Sequence, residues 1–506
     1  MTFFDRLQGE APRYGWSPKA HDPRWNPAEA ARRTCRTKDD RRVGIIGAGM
    51  GGIHMAWLLR RRGFRNVTVL ERNDYVGGKV LTLERDGIKH EMGGCYTTPA
   101  YRQVRALLSE LGLYDRAGVA GRNVFSPDGS EQTFGDWATE EFRKQLSGLR
   151  GELPALGVGL FVIRDIWRYN RLHRSIFGRY DGSFPPRPSE RGLQELQGTF
   201  VEFLERNELQ TLIPVMRLFQ SAQGYGYIEE VPAYYGLLWN NPDTMKIVIE
   251  QLTGRGRRAG ADLTKDGMQT MITEMVTRMR IDVRLHTEVT RIARGPVHRV
   301  RTRDRRTGDV LEHDFDLLFV ACHAKQALEW LQRPTPREQA LFGTLQSHQM
   351  TTTLQRGRQA TRNGIDSWLF RAAPGFDHQV ITQRLSQFYL DPDAYEAHDP
   401  ADPDIRVTFQ YGAAEVTEAE VIERYDRNYK AEGTDTPVED HEVLDRRFWT
   451  GYFPHWDEGG IQGGKPWDLL EMQGTDRTYW IGASACFESL RDIVNYNLLI
   501  ATQHFD

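Results

Sequence analysis

Gly47, Gly49 and Gly52 stand in a G-x-G-x-x-G frame within RRVGIIGAGMGG. An apolar run precedes the frame and a helix-periodic run follows it, so strand, tight turn and helix are predicted in that order. This spacing suits the binding of a pyrophosphate. The first glycine permits the turn, the second lets backbone approach the phosphates, and the third lets the helix pack on the strand. The helix N-terminus then turns its partial positive charge towards the phosphates. A second strand, NVTVLE, ends in Glu71 about 20 residues beyond the last glycine, where a carboxylate binds a ribose hydroxyl. The combination reads as a dinucleotide site.

Glu71 leads into RNDYVGGK rather than into a new helix. Gly77 and Gly78 let the backbone pass close to a second part of an extended ligand. Lys79 is placed to bring positive charge beside the pyrophosphate. KHEMGG then supplies another strand end with paired glycines, Gly93 and Gly94. A dinucleotide whose far end lies deep in the protein fits FAD better than NAD.

The elements that must hold this site are spread along the chain. Residues 1–40 are polar and rich in Pro, Arg and Asp, and read as an extended arm. MQTMITEMVTRMR (268–280) reads as a helix leading into two short strands, and FDLLFVACHA (315–324) as a further strand. TYWIGASACFESLRDIVNYNLLIATQHF reads as strand, loop and long helix. Between these blocks, YRQVRALLSELGL has helical spacing, NVFSPDGSEQTF reads as a hairpin, and helical patterns dominate from 136 to about 280. The fold class is therefore α/β: a discontinuous Rossmann-like FAD-binding domain (GR2 type) with an α+β substrate domain. Residues 41–100, 265–325 and 475–506 are assigned to the first, and 101–264 and 326–474 to the second, which is largely helical in its first part.

The 506 residues are 39 % hydrophobic and 27 % charged, as in globular chains of two or three domains. A net charge of −3 gives no global drive towards nucleic acid or a membrane surface. The run RRR at 60–62 reads as a solvated helix end facing the dipole. Cys35, Cys95, Cys322 and Cys486 lack CxxC spacing, which argues against a disulfide framework or a zinc site and for a reducing compartment. No metal is expected, and neither nucleic acid nor integral membrane association. With no signal pattern at the N-terminus, the expected location is cytoplasmic.

GIIGAGMGG followed by LERNDYVGGK resembles the flavin amine oxidase and phytoene desaturase superfamily, with its E-x-x-x-R-x-G-G motif. Tyr75 replaces the usual arginine, and Lys79 a second one. The branch of polyenoic fatty acid (linoleate) isomerases also lacks that arginine and carries V-G-G-K. HEMGG with PAY, QGYGYIEEVPAYY, GYFPHW and EMQGTDRTYWIGASACFESL are each similar to segments of that branch. The resemblance implies that Val289 presents backbone to the adenine and that Gly482 lies near the pyrophosphate. Ala483 stands where the family has an acidic residue. The helix starting near Ser489 would aim its N-terminus at the flavin.

The resemblance further implies hydride removal from a carbon between two double bonds and its return elsewhere, without net oxidation. The expected partner is a small apolar carboxylate. Arg122, just ahead of the Asp128–Gly129 turn, matches the family's carboxylate anchor. Tyr225, Tyr227, Tyr235 and Phe453 are expected to line the substrate pocket. The family's phenylalanine gate falls in MKIVIEQ (245–251), which has no aromatic residue. His455 reads as a packed loop histidine or a proton carrier. An FAD-dependent oxidase or desaturase of a polyene, amine or biosynthetic intermediate is the alternative, and a flavin-binding scaffold without catalysis a third reading.

Overall fold

The computed structural model describes residues 26–34, 38–114, 116–118, 122–150, 155–178, 180, 184–252, 262–359, 364–385, 403–429 and 438–506. A five-stranded sheet carries the glycine frame. Its spatial order is Asp282–Arg284, Phe64–Leu70, Asp39–Ile46, Leu317–Val320 and Thr478–Trp480. Every neighbouring pair is parallel. Parallel strands are covered on both faces, which is why VGII, VTVL and LLFV are nearly continuous apolar runs. Counted along the chain the order is 3-2-1-4-5. The switch point lies between the first and fourth strands, where such sheets bind ligands beyond their carboxyl ends.

Helices Met50–Arg61 and Leu490–Phe505 cover this sheet. They are joined where the Asn497 amide donates to Gly51 O at 2.7 Å. The extended reading of residues 1–40 fails over Pro27–Arg32, which is helical, with proline in its first turn and the Asn26 side chain as cap. Residues 1–25 lie outside the described residues. Arg62 also departs from expectation. It is not solvated: its side chain is 1 % exposed, and its Nε donates to Asp506 Oδ1 at 2.8 Å.

The second layer is a seven-stranded sheet, ordered Val438–His455, Gln346–Gln359, Asp404–Gly412, Val380–Leu385, Ile365–Ser367, Arg122–Phe125 and Glu131–Thr133. Only the Ile365–Ser367 and Arg122–Phe125 pair is parallel. The last two strands form the hairpin expected around the PDG turn. Alternation divides this sheet sharply. One face carries Asp366, Gln383 and Arg406, a buried ionic cluster beneath the helix Glu418–Tyr429, with the Arg406–Asp366 contact at 3.3 Å. The other face turns Arg122, Ile365, Thr382, Arg384, Phe409 and Thr352 towards a cavity. Helices between Phe134 and Leu252 roof it. Among the described residues no helix is long and apolar enough to cross a membrane.

Candidate active site

The G-x-G-x-x-G turn behaves as its spacing predicts. Gly47 has φ +103°, open to glycine and strained for other residues. A Cβ on Gly52 would lie 1.9 Å from Gly47 O, so the helix sits directly on the turn. Gly49 caps the helix Met50–Arg61 without any side-chain hydrogen bond. Its first turn therefore faces the cavity through backbone alone, as an anion site requires.

The second glycine pair closes on the first. Gly77 N donates to Ala48 O at 2.8 Å, and Gly49 and Gly77 form a parallel bridge. Gly77 and Gly78 have φ of +127° and +58°. A Cβ on Gly78 would stand 3.2 Å from Gly49 Cα, so side chains on both loops would fill the cradle. Glu71 is buried and oriented by two backbone donors, Ala48 N at 2.7 Å and Asn73 N at 2.9 Å. An uncapped helix start, a side-chain-free cradle and a fixed carboxylate at the end of the second strand fit the phosphates and ribose of a dinucleotide.

The cavity measures about 910 Å³, towards the upper end of ordinary ligand pockets at ~300–1,000 Å³. Gly93, Val289, Gly482 and Ser489 all border it, as do Gly47, Gly49, Glu71, Gly77, Gly78 and Lys79. Gly52 stands behind the wall. Gly482 adopts φ +82°, and a Cβ on Gly93 would overlap Lys79 O at 1.9 Å. Ser489 caps the helix Leu490–Phe505, accepting from Asp492 N at 3.1 Å.

Lys79 differs from expectation. Its ammonium pairs with the buried Glu488 carboxylate, donates to Gly451 O at 3.0 Å and lies over the Tyr452 ring. The charge is matched by a protein carboxylate rather than held for the pyrophosphate alone. Glu488 also accepts from Phe453 N, where Phe453 has φ +50°. Sequence reasoning missed Glu488. With Ala483 in the family's acidic position, the ESL triplet beyond it was the available signal.

The aromatic expectations divide. Tyr225 borders the cavity, its ring 4.8 Å from Trp239 and parallel to Tyr452 at 6.2 Å. Tyr227, Tyr235 and Phe453 do not line it. Tyr227 is fully buried against Tyr411, and Tyr235 accepts from Trp456 N at 2.8 Å. Phe453 packs on Phe487 and Tyr235. These three form the layer behind the wall: Tyr227 from the loop between two helices, Tyr235 from the helix Ala233–Trp239 and Phe453 from a strand residue at φ +50°. His455 is packed too: its Nδ1 meets Phe453 O at 2.8 Å, and burial lowers the imidazole to about 4. It is neutral near pH 7 and lies outside the cavity wall. The segment 245–251 contributes Ile247, while Phe134, Phe219 and Trp239 supply aromatic wall. Cys95 and Cys322 border the cavity; Cys486 lies behind Gly482, its thiol 3.3 Å from that carbonyl.

Below the Gly93 loop, the Glu91 carboxylate accepts from Met268 N at 2.7 Å and Thr82 Oγ1 at 2.9 Å. Burial raises its carboxyl to about 7 against the pull of these bonds and of Arg384. The folded chain thus binds this proton more tightly than the unfolded one. The stability contributed is full below the ordinary value of 4.5 and lost as pH rises through about 7. Glu91→Gln is expected to flatten the fall in thermal midpoint across that window; an unaltered slope would assign the fall to other groups.

A protein-family model for flavin containing amine oxidoreductases matches residues 50–354. The polyenoic fatty acid isomerase of Ptilota filicina is 22 % identical, covering 90 % of this chain and 94 % of its own. The putrescine oxidase of Kocuria rosea is 33 % identical over 24 % of this chain and 27 % of its own. Among solved structures, a CLA-producing fatty acid isomerase from P. acnes superposes with TM-score 0.73 at 21 % identity, covering 92 % of this chain and 99 % of that one. A putative protoporphyrinogen oxidase from Exiguobacterium sp. 255-15 gives 0.62 at 16 %, covering 92 % and 99 %. The model match spans most of the chain and starts on the very helix that rises from the glycine turn: this protein belongs to the flavin containing amine oxidoreductases, and its cofactor is FAD.

Proposed function

We propose that this flavoenzyme is a double-bond isomerase of a polyunsaturated fatty acid or a related apolar carboxylate. The observation that carries the reading is Arg122, a guanidinium bordering a cavity whose lining also includes Phe219, Tyr225 and Trp239. A cation among aromatic surfaces selects an acid with a long apolar body. Bound FAD supplies a two-electron acceptor for a hydride from an activated C–H bond. The residues of the chain bind and orient. Arg122 fixes the carboxylate end, so the distance along the apolar chain decides which carbon lies at the reacting position. The aromatic walls exclude water, which protects a developing positive charge on the substrate from capture. The near end-to-end similarity to a polyenoic fatty acid isomerase supports the same reading.

Anaerobic incubation with linoleate tests it. Conjugated-diene absorbance that accumulates while the flavin ends oxidised is the expected result. Bleaching that only oxygen reverses would replace the isomerase by an oxidase or desaturase. Arg122→Ala should raise KM for the free acid by roughly 10- to 100-fold, since hydrogen bonds to charged groups contribute about 1.5–3 kcal/mol. The methyl ester should change little; equal losses for acid and ester would remove Arg122 from the site.

A further inference from the structure

We propose that Glu488 is a positioning residue that holds Lys79 paired beside the cofactor cavity and thereby keeps reduction of FAD reversible. The reversibility rests on the isomerase reading; the pairing rests on geometry alone. Lys79 and Glu488 both border the cavity. The Lys79 ammonium meets Glu488 Oε1, and Glu488 Oε2 accepts from Phe453 N. Both carboxylate oxygens are thus engaged, on a side chain only 9 % exposed. The same ammonium donates to Gly451 O at 3.0 Å and lies 5.0 Å from the centroid of the Tyr452 ring. Three distant segments meet in this clasp. Lys79 follows the second glycine pair, Gly451 and Phe453 lie near the end of the strand Val438–His455, and Glu488 precedes the cap of the helix Leu490–Phe505.

The strand end in the clasp is irregular. Its register against Gln346–Gln359 shifts between the Tyr452 and Trp449 pairs. Gly451 has φ +61° and Phe453 φ +50°. A non-glycine residue stays in the left-handed region only where its surroundings hold it, and such residues gather at functional sites. Here side chains do the holding: Glu415 accepts from Gly451 N at 2.6 Å, Lys79 binds Gly451 O, and Glu488 binds Phe453 N. His323, also on the cavity wall, adds no charge near pH 7, because burial and then Lys79 lower its imidazole to about 4. Pairing has a chemical consequence. A hydride carries both electrons of its C–H bond, so its uptake adds one negative charge to the cofactor, and its return to another carbon removes that charge. An unpaired ammonium at the cavity would stabilise the charged, reduced form and retain the hydride. Glu488 opposes that attraction, which keeps the two forms close enough in free energy for hydride to leave and return.

The test is redox titration of the holoenzyme against a dye of known potential, without substrate. Glu488→Gln should raise the equilibrium constant for flavin reduction roughly 10-fold, the scale of one charge at ~10 Å and an effective dielectric of ~20. Lys79→Met should lower it by a similar factor, and the double variant should return close to the wild type. Glu488→Asp and Lys79→Arg, which keep the charges and alter the reach, should shift it far less. A merely structural clasp would respond to length as much as to charge. Shifts of the same sign in Glu488→Gln and Lys79→Met, or none in either, overturn the pairing. Where a single variant fails to retain FAD, the double variant keeps the test open, because removing both charges strands neither; a potential away from the wild type there overturns the proposal. With linoleate and no oxygen, Glu488→Gln should accumulate bleached flavin where the wild type ends oxidised. Diene formation by both with the flavin oxidised at the end would overturn the role in reversibility. Bleaching of the wild type that only oxygen reverses sinks the isomerase reading, and with it the reversibility, while the titration still decides the pairing.

Discussion

Gly52→Ala is expected to yield a protein that is colourless, or insoluble, after purification. The new Cβ would sit 1.9 Å from Gly47 O, and both atoms belong to rigid backbone. No side chain can swing aside to relieve the overlap, so either the helix Met50–Arg61 lifts from the turn or the turn opens. Both movements displace the uncapped helix start from the phosphates and spread the contact between Gly49 and Gly77. Overpacking alone costs about 1–3 kcal/mol, and loss of the bound dinucleotide removes its stabilisation as well. The check is the ratio of flavin to protein absorbance and the thermal midpoint with added FAD. Gly159→Ala is the control: its Cβ meets nothing within 4 Å, and its position is helical. There alanine should be neutral or stabilise by about 0.5–1 kcal/mol. If Gly52→Ala retained FAD like the control, the close packing of helix on turn would have no role in holding the cofactor.

Asp506→Ala should lower stability by about 3–5 kcal/mol without touching the cavity, the usual result of stripping a buried charge of its partner. Asp506 meets two arginines, Arg62 at 2.8 Å and Arg33 at 3.0 Å. Arg33 is 60 % exposed and can return to water, but Arg62 cannot. Burial already pushes the Arg62 guanidinium down, and Asp506 opposes that push. The Ala30 carbonyl, 3.3 Å from Arg62 Nη2, is too weak a partner to replace a carboxylate. Adding Arg62→Met to Asp506→Ala should recover most of the loss, since the stranded charge goes with it. Thermal midpoints of the two single variants and the double close the cycle; independent, additive losses would show that the pair is not coupled.

Much of the cofactor side was legible in the sequence because its demands are local. A glycine at a positive φ, a glycine beneath a helix and a carboxylate at a strand end are each fixed by a few neighbouring residues. Gly47, Gly52 and Glu71 could therefore be read off a short window. The substrate side was less legible, because a wall is made of residues from distant strands and helices. Tyr225 and Tyr227 are two apart in one motif, yet one ring meets the cavity and the other the core. Composition cannot distinguish them. Lys79 likewise required Glu488, hundreds of residues away, to reveal its partner.

Sequence alone determined that an FAD cradle would form, since the backbone geometry that admits phosphates excludes side chains at fixed, countable positions. Only the tertiary structure decided which side chains face the cavity. Strand register across Arg122, Ile365 and Arg384 brings two cations to one face, and register is a property of pairing between segments that no single segment encodes.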